Sequence, residues 1–377
     1  MKPTVAFFAN QFADLHGHGL ARYARELRDA LAAQGDVDVR PASAWSSLPP
    51  DRLAALRSDT GLTLLKSGRR GTSYGWTFAG LPRIEWMMDG PVDVTHSVCM
   101  GYPIATAKPL VVTVHDIGPL THPEYFSHNR PWLMKRALDQ AVHRADALVC
   151  ISQATAEEVM SLYPGQTWDR LHVVASGVSD RFFAEPDDAA LDGIPLPPDD
   201  VPFILTAGKI SPRKNVQGVI AALRIAMQDI PHHLVVTGGS GWDMEQIKAI
   251  LDDPVLSKRL HVAGYVSDAA LHTLYRRAAI YVHPSLYEGF GLTVLEAMAS
   301  GTPVVTSNLS SLPEVAGDAA LLVDPMNPDE IAEAIVKVGS DATLAADLRA
   351  RGLARAREFP WSATAARMSE IYRAVTQ

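Results

Sequence analysis

Short apolar runs alternate with longer amphipathic segments along the chain. Leu20, Tyr23, Leu27 and Leu31 repeat at helical spacing and predict a helix over 20–33. Strands that alternate with helices are typical of an α/β domain with a parallel sheet. In the first half, the apolar runs that predict buried strands lie at 4–9, 92–96, 110–115, 147–151 and 171–174.

The same rhythm restarts after a segment rich in proline and aspartate at 184–202, which resembles an interdomain connection. We therefore predict two doubly wound domains, at 1–183 and 200–361, with a last helix at about 362–377. In the second half, the predicted strands lie at 203–207, 233–237, 260–263, 280–283 and 303–306.

Composition agrees with this division. A chain of 377 residues suits two domains of about 180 residues each. Its 47% apolar and 20% charged residues are typical of a soluble globular protein, and a formal charge of −8 argues against a nucleic-acid binder. Cys99 and Cys150 show neither pairing nor metal-ligand spacing, and the first apolar run is too short for a signal peptide or a membrane span. We expect a cytoplasmic protein.

One segment combines two carboxylates with a glycine turn and the start of a helix. It reads Glu288-Gly-Phe-Gly-Leu-Thr-Val-Leu-Glu296 and lies between two apolar runs. Glycines let the backbone approach a ligand closely, and the N-terminus of a helix suits a diphosphate. Glu296 is placed to accept two ribose hydroxyls, and Glu288 would face whatever lies beyond the phosphates. The spacing alone leaves open an ordinary loop with two solvated glutamates.

A basic turn follows the predicted strand 203–207. It contains Gly208, Lys209, Arg213 and Lys214. Lysines at the end of a strand can deliver positive charge to a phosphate, each as a point charge. We rank Arg213 below the two lysines, as a solvated neighbour. A basic surface turn without a ligand is the alternative.

These segments resemble the retaining glycosyltransferases of family 4, and the resemblance extends along nearly the whole chain. It implies the GT-B fold, in which two doubly wound Rossmann-like domains face each other across a cleft and a C-terminal helix crosses back to the first domain. The family usually places an arginine and a lysine on the donor diphosphate, where this chain has Lys209 and Lys214. Lys209 departs from the pattern because lysine cannot make a bidentate fork.

The resemblance also assigns residues to the site. His115, Glu288, Lys209 and Lys214 are the predicted catalytic residues; His115 and Glu288 contact the donor sugar, and Glu296 holds the ribose. From the residues alone, a structural histidine and a flexible glycine turn remain alternatives for His115 and for 237–241. The predicted donor-binding residues are Gly17, Gly19, Gly208, Gly238, Tyr265, Val266, Gly289, Phe290, Gly291, Leu292, Thr293 and Glu296.

We expect no metal and no cofactor apart from the nucleotide sugar itself. Asp36-Val-Asp38 has the form of the acidic metal-binding motif of the other main glycosyltransferase fold, but no apolar strand precedes it, so we interpret it as a solvated turn. Lysines and helix N–H groups would then balance the leaving diphosphate. A sugar-nucleotide epimerase or a phosphorylase of the same fold, and a non-catalytic sugar-nucleotide-binding protein, remain open.

Donor and acceptor predictions rest on further stretches. The segments 115–116, 123–126 and 212–215 resemble bacterial mannosyltransferases of surface polysaccharide synthesis. We predict GDP-mannose ahead of a UDP-hexose as donor, and a saccharide or lipid-linked saccharide as acceptor. Two basic and aromatic stretches, 66–86 and 130–136, are candidates for contact with a lipid-diphosphate acceptor or with an anionic membrane, on the inner face of the cell membrane. Aromatic residues in the core and basic ones on the surface are the alternative.

Overall fold

The computed structural model of the chain describes residues 2–14, 19–126, 131–239 and 253–377. They form two compact units. The division falls between Gly177 and Val178, so the segment 184–202 lies within the second unit. The first unit spans Met1–His122, His128–Gly177 and Trp361–Gln377, and the second spans Pro123–Ser127 and Val178–Pro360.

A seven-stranded sheet organises the first unit, and every strand pairing found in its described ranges is parallel. The order is β3-β2-β1-β4-β5-β6-β7. The strands are Thr4–Phe8 (β1), Asp38–Ser43 (β2), Thr63–Leu64 (β3), Val94–Ser97 (β4), Leu110–Val114 (β5), Ala147–Cys150 (β6) and Leu171–Val173 (β7). The α-helices are Gly19–Gln34 (α1), Pro50–Thr60, Gly68–Tyr74, Gly118–Thr121, Pro131–Arg144, Gln153–Leu162 and Trp361–Ala374.

The last helix, Trp361–Ala374, packs within the first unit. The rings of Trp361 and Tyr23 lie 5.4 Å apart edge to face, and the Tyr372 hydroxyl lies 2.7 Å from His96 Nδ1. Tyr23 and Tyr372 are fully buried, so these contacts remove large apolar surfaces from water. The predicted return of the C-terminal helix to the first domain is confirmed.

A six-stranded sheet organises the second unit, again with parallel pairings throughout the part that the structure describes. The order is β10-β9-β8-β11-β12-β13. The strands are Phe203–Ala207 (β8), His233–Thr237 (β9), Leu260–Gly264 (β10), Ile280–His283 (β11), Val304–Ser307 (β12) and Leu321–Val323 (β13). The α-helices are Val216–Ala226, Asp268–Arg277, Leu292–Ala299, Leu312–Ala316, Pro328–Ser340 and Ala342–Ala356.

Apolar residues of both sheet and helices form the core of the second unit. Ile204, Ile280 and Val305 of the central strands pack in one cluster with Val219 and Ile335 from the helices. Burial on both faces explains why these strands read as continuous apolar runs, since helices cover both sides of a parallel sheet. The predicted GT-B class of fold, with two Rossmann-like sheets, is confirmed.

Three strands differ from the sequence prediction. β2, β3 and β13 were not expected, because they are short or polar. Asp38 opens β2 and lies 2.9 Å from Arg40, so the interpretation of Asp36-Val-Asp38 as a solvated turn is wrong for Asp38. Asp36 pairs with Arg373 of the last helix. In the described ranges, no helix combines the length and the apolar character needed to cross a membrane.

Candidate active site

The strand order places a switch point in the second sheet between β8 and β11. The chain leaves β8 towards β9 and β10 and then returns to the other side of β8 as β11. In open α/β sheets, the loops that follow two such strands diverge, and ligands bind in the crevice outside the carboxyl ends of the strands. Gly208 follows β8 and His283 ends β11. The two predicted motifs therefore meet at this edge.

Glu288 lies at the centre of a buried ion cluster. Its Oε2 lies 2.7 Å from Arg213 Nη1, and its Oε1 lies 2.6 Å from Lys214 Nζ. The Glu288 side chain is only 9% exposed. Burial opposes its ionisation, but the charges of Arg213 and Lys214 outweigh burial and hold the pKa of Glu288 well below its usual range. The carboxylate is therefore ionised at neutral pH.

His283 joins this cluster as a neutral imidazole. Burial, with the nearby Lys214 charge, lowers the pKa of His283 to about 4 although Glu288 opposes the shift. Its Nε2 lies 3.3 Å from Glu288 Oε1, and its Nδ1 lies 3.1 Å from the Tyr281 hydroxyl. In the tautomer with the proton on Nε2, the ring donates to Glu288 and accepts the Tyr281 proton at Nδ1. The Ser285 hydroxyl also lies 3.1 Å from Nε2. In that tautomer, Tyr281 and His283 orient the Glu288 carboxylate.

Backbone packing sets the turn that carries Lys214. Gly208 N–H donates to the Thr237 carbonyl over 2.9 Å, and a Cβ at Gly238, whose φ is +141°, would lie 1.9 Å from the Gly208 carbonyl oxygen. Only glycine fits at Gly238. The Asn215 side chain donates to the Pro325 carbonyl over 2.6 Å and caps the helix Val216–Ala226. These contacts fix the end of the turn beside Glu288.

Two serines hold the loop that carries Glu288. The Ser310 hydroxyl donates to the Glu288 carbonyl, and the Ser311 hydroxyl lies 2.9 Å from that oxygen and 2.8 Å from the Phe290 carbonyl oxygen. Gly291, with a φ of +122°, then precedes the helix Leu292–Ala299. The loop is therefore held from a different strand-to-helix connection, after β12.

The other predicted residues of the second unit occupy varied surroundings. Glu296 is 1% exposed and accepts from the Tyr275 hydroxyl over 3.3 Å. Tyr265 is exposed and Val266 half-buried, just beyond β10. Gly289 is half-buried. The Phe290 ring is buried and lies against Phe359, with ring centroids 6.0 Å apart. Leu292 and Thr293 form the half-buried first turn of the helix Leu292–Ala299.

His115 belongs to the first unit, where it directly follows β5. Its Nε2 lies 2.8 Å from the Val98 carbonyl oxygen, and the Tyr23 ring lies 4.5 Å from its ring, edge to face. Burial lowers the pKa of His115 to about 4, against the Val98 carbonyl. Gly19 begins α1, and Gly17 lies outside the described residues. The structure therefore gives His115 a fixed, neutral ring.

The first sheet has its own switch point, between β1 and β4. A cavity of about 680 Å³ opens at the carboxyl ends of these strands. Its lining includes Phe8 at the end of β1, Asn10 just after it, Cys99 after β4, and Arg69 and Arg70 from the helix Gly68–Tyr74. The lining also includes Gln11 and Asp14, so the cavity has apolar and polar walls, with one carboxylate beside the two guanidinium groups.

One interpretation of the basic turn needs correction, and the prediction that Lys209 contacts the diphosphate stays a prediction. Arg213 is not a solvated neighbour, because it pairs with Glu288 and also donates to the Tyr287 carbonyl over 3.1 Å. Lys209 is exposed, and no ion pair of Lys209 is found among the described residues. Sequence analysis also missed His283 as a member of the site. Its position at the end of β11, five residues before Glu288, was the available signal.

Acidic and imidazole groups do not gather into a metal site in the part of the chain that the structure describes: no three His, Cys, Asp or Glu side chains there are placed to hold an ion. The cluster around Glu288 instead offers two cations, one carboxylate and a neutral imidazole. Such a set binds anions and hydroxyl groups.

Known protein families and relatives agree with this geometry. Residues 187–355 match the family described as Glycosyl transferases group 1, and residues 17–182 match Glycosyltransferase Family 4. The chain is 33% identical over 67% of its length to the O-antigen chain mannosyltransferase B of Escherichia coli, and spans 66% of that protein. It spans 32% and 31% of longer serotype-specific mannosyltransferases from the same organism.

Two further likenesses cover nearly all of the chain. A D-inositol 3-phosphate glycosyltransferase of Xylanimonas cellulosilytica is 30% identical over 95% of this chain and 92% of its own length. The structure of Anabaena Alr3699/HepE in complex with UDP-glucose superposes with a TM-score of 0.73 at 16% identity, over 98% of this chain and 99% of that one, which shows a shared fold. The family matches and the 30% identical relative show that the chain belongs to the family 4 glycosyltransferases.

Proposed function

We propose that this chain transfers a mannosyl group from GDP-mannose to a hydroxyl of a saccharide or lipid-linked saccharide, with retention of the anomeric configuration and without a metal ion. The observation that carries the proposal is the buried cluster of Arg213, Lys214 and Glu288 at the switch point of the second sheet. It brings fixed positive charge to the edge where a nucleotide sugar would bind.

The cluster suits a leaving diphosphate. As the bond between the sugar and the diphosphate breaks, the diphosphate gains negative charge, and Lys214, Arg213 and the N–H groups of the first helical turn at Leu292 and Thr293 can balance it. The acceptor oxygen bonds to the anomeric carbon on the face from which the diphosphate oxygen departs. The departing diphosphate oxygen takes the proton of the acceptor hydroxyl. Lys209, being exposed, is assigned a weaker contact with the phosphates.

Carboxylates take the hydroxyl groups of the donor in this proposal. Glu288 accepts from hydroxyls of the transferred sugar, because its orientation is fixed by His283 and its charge is retained by Arg213 and Lys214. Glu296 accepts from the ribose hydroxyls, eight residues further on. His115 is proposed to orient the transferred sugar as a neutral hydrogen-bonding group.

Relatives favour mannose over other hexoses. The O-antigen mannosyltransferase of Escherichia coli and the longer serotype-specific mannosyltransferases are named for transfer of this sugar. The relative from Xylanimonas cellulosilytica is named for a phosphorylated acceptor, D-inositol 3-phosphate. We assign the acceptor to the cavity of the first unit, where Arg69 and Arg70 can receive a phosphate of a lipid-linked acceptor.

A UDP-hexose is the second candidate donor. The Anabaena protein of the same fold was solved with UDP-glucose. The two donors differ in the base. Tyr265 and Val266 are the described residues that we assign to the base, and their side chains do not discriminate between the two bases.

Calorimetric titration of the protein with GDP and with UDP separates the two donors. We expect GDP to bind about tenfold or more tightly than UDP, a difference of about 1.4 kcal/mol. Glu296→Gln, which keeps the shape of the buried side chain, should weaken GDP binding, whereas Tyr275→Phe, which removes only the hydroxyl beside it, should not. Tighter binding of UDP would replace GDP-mannose with a UDP-hexose, and equal binding by Glu296→Gln would remove the ribose assignment.

A further inference from the structure

Several large aromatic side chains of the first unit are exposed to solvent. Phe78 is 65% exposed, Trp86 61%, Tyr74 46% and Trp132 45%. Trp76 of the same segment is buried, and its indole N–H donates to the Pro82 carbonyl over 2.6 Å. The alternative that the aromatic residues of these segments lie in the core therefore holds for Trp76 but not for the four exposed residues. Contiguous exposed rings on a soluble domain commonly mark a binding surface.

Three of these rings form one surface with an arginine. Tyr74 stacks on Phe78 with centroids 6.2 Å apart, and Phe78 lies 6.1 Å from Trp132. The Arg136 guanidinium lies 5.6 Å from the Phe78 ring centroid and also donates to the Thr77 carbonyl. We call Tyr74, Phe78, Trp132 and Arg136 the aromatic–arginine patch. It joins two segments distant in sequence, so its continuity is a property of the fold.

Basic residues outnumber acidic ones in the segment that carries Tyr74 and Phe78. Residues 66–86 carry four basic residues and one acidic residue on a chain whose formal net charge is −8. The acidic residue, Glu85, accepts hydrogen bonds from Thr106 Oγ1 over 3.0 Å and from the Ala107 N–H over 2.9 Å. Arg83 lies over the exposed Trp86 ring, with 5.3 Å from the guanidinium carbon to the centroid. The net charge of the segment 66–86 is thus positive, whereas that of the whole chain is negative.

We propose that the aromatic–arginine patch docks the protein on the surface of an anionic lipid bilayer. Tyrosine and tryptophan rings prefer the boundary between headgroups and acyl chains, where an apolar body and a polar tip are both satisfied. Arginines add attraction to anionic headgroups and keep their charge in water while their stems cover apolar surface. A purely apolar partner would leave the arginines unpaired, and a purely anionic one would leave the rings in water.

Docking at this surface places the cavity of the first unit beside the bilayer. Tyr74 belongs to the patch and also lines that cavity. Leu133, which follows Trp132 of the patch in sequence, lines the cavity as well. An acceptor anchored in the membrane by a lipid would therefore reach Arg69 and Arg70 without leaving its leaflet. The docking itself does not depend on which donor the protein uses.

Vesicle sedimentation of the full chain tests the proposal. Wild-type protein should sediment with vesicles of phosphatidylglycerol and phosphatidylcholine in equal proportions, and much less with phosphatidylcholine alone. The double variant Phe78→Ser, Trp132→Ser should bind about tenfold or more weakly, because two rings no longer enter the interface. Arg83→Gln and Arg136→Gln should each weaken binding about fivefold, and about 0.5 M salt should weaken the wild type.

A matched control removes exposed apolar side chains elsewhere. Val255 and Met326 of the second unit are 56% and 71% exposed, so Val255→Ser with Met326→Ser also removes two exposed apolar side chains, but outside the patch. This control should bind vesicles like the wild type, and thermal unfolding should show that all variants are folded. Failure of the wild type to sediment, or equal binding by the Phe78 and Trp132 variant, would overturn the proposal. If the wild type does not bind vesicles but self-associates in sedimentation velocity, and the Phe78 and Trp132 variant does not self-associate, the patch would be assigned to a second copy of the chain instead.

Discussion

Lys214 Nζ and Glu288 Oε1 form an ion pair of 2.6 Å whose side chains are 11% and 9% exposed. Removing one member of a buried pair leaves the other charge uncompensated. Arg213 shares the same carboxylate, so Glu288 holds both cations in position. The carboxylate has two effects in our proposal: it binds the sugar, and it moderates the attraction of the cations for the diphosphate.

Glu288→Gln separates these two effects. The variant keeps the shape of the side chain but removes its charge, so we expect turnover to fall about 10²- to 10³-fold, as for loss of one preorganised group. GDP should bind at least as tightly as to the wild type, because a negative charge near the diphosphate is gone. Steady-state kinetics and calorimetry measure the two quantities. Glu370→Gln, at an exposed pair with Arg367, is the control. Weaker GDP binding with normal turnover would contradict these roles.

Arg213→Ala and Lys209→Ala compare a buried contact with an exposed one. Arg213 pairs with Glu288, whereas Lys209 is exposed. Exposed charges are screened by water and salt, so we expect kcat/KM to fall about 10- to 100-fold for Arg213→Ala and by less than about threefold for Lys209→Ala. A larger loss from Lys209→Ala would mean that Lys209 holds the diphosphate, as the family pattern implies.

Stability should fall as the solution is acidified below pH 6.5. The pKa values of His96, His115 and His283 are lowered, chiefly by burial, to about 3, about 4 and about 4. Between pH 6.5 and about pH 4 the unfolded chain binds protons that the folded chain does not, so each histidine removes stability as pH drops, by about 2 kcal/mol at pH 5.

His96→Gln tests this linkage at a residue that we have not placed in the donor site. His96 contacts the Tyr372 hydroxyl at 2.7 Å and Thr113 Oγ1 at 2.8 Å, and glutamine can keep polar contacts there. The difference in unfolding free energy between pH 7 and pH 5, from urea titrations, should be smaller in the variant. An unchanged difference would show that His96 is protonated equally in both states.

Transfer should continue when divalent metals are chelated. Our proposal balances the leaving diphosphate with Lys214, Arg213 and backbone N–H groups, which do not depend on an ion. Initial rates with and without EDTA should agree. Lys214→Ala, measured beside them, should lose several kcal/mol of transition-state stabilisation. Loss of activity in EDTA that Mn²⁺ restores would contradict a metal-free site.

Much of the fold was predictable because its strands are buried on both faces. β8, β11 and β12 read as short apolar runs: Gly208 follows β8, Pro284 follows β11 and Pro303 precedes β12. β2 was missed because Asp38, Arg40 and Pro41 hide the strand pattern: it gains its place from pairing with β1. Propensity is a weak guide where tertiary pairing decides.

The site was predictable where the chemistry is local in sequence. Glu288 and Lys214 followed from their motifs, but the choice between Arg213 and Lys209 depends on how the turn is held by Gly238 and Asn215. The contribution of His283 and Ser311 depends on which loops meet at the switch point. Neither relation is encoded in the spacing of residues along one segment.

The product of the wild-type reaction tests the central claim most directly. The protein would be incubated with GDP-mannose and octyl α-D-mannoside, and the new glycosidic linkage identified by the one-bond coupling between carbon and hydrogen at the anomeric position. GDP-mannose carries an α-linked sugar, so retention predicts an α-mannoside that forms in the wild type and is strongly reduced in Lys214→Ala. A β-mannoside, or equal yields from the wild type and Lys214→Ala, would contradict the account.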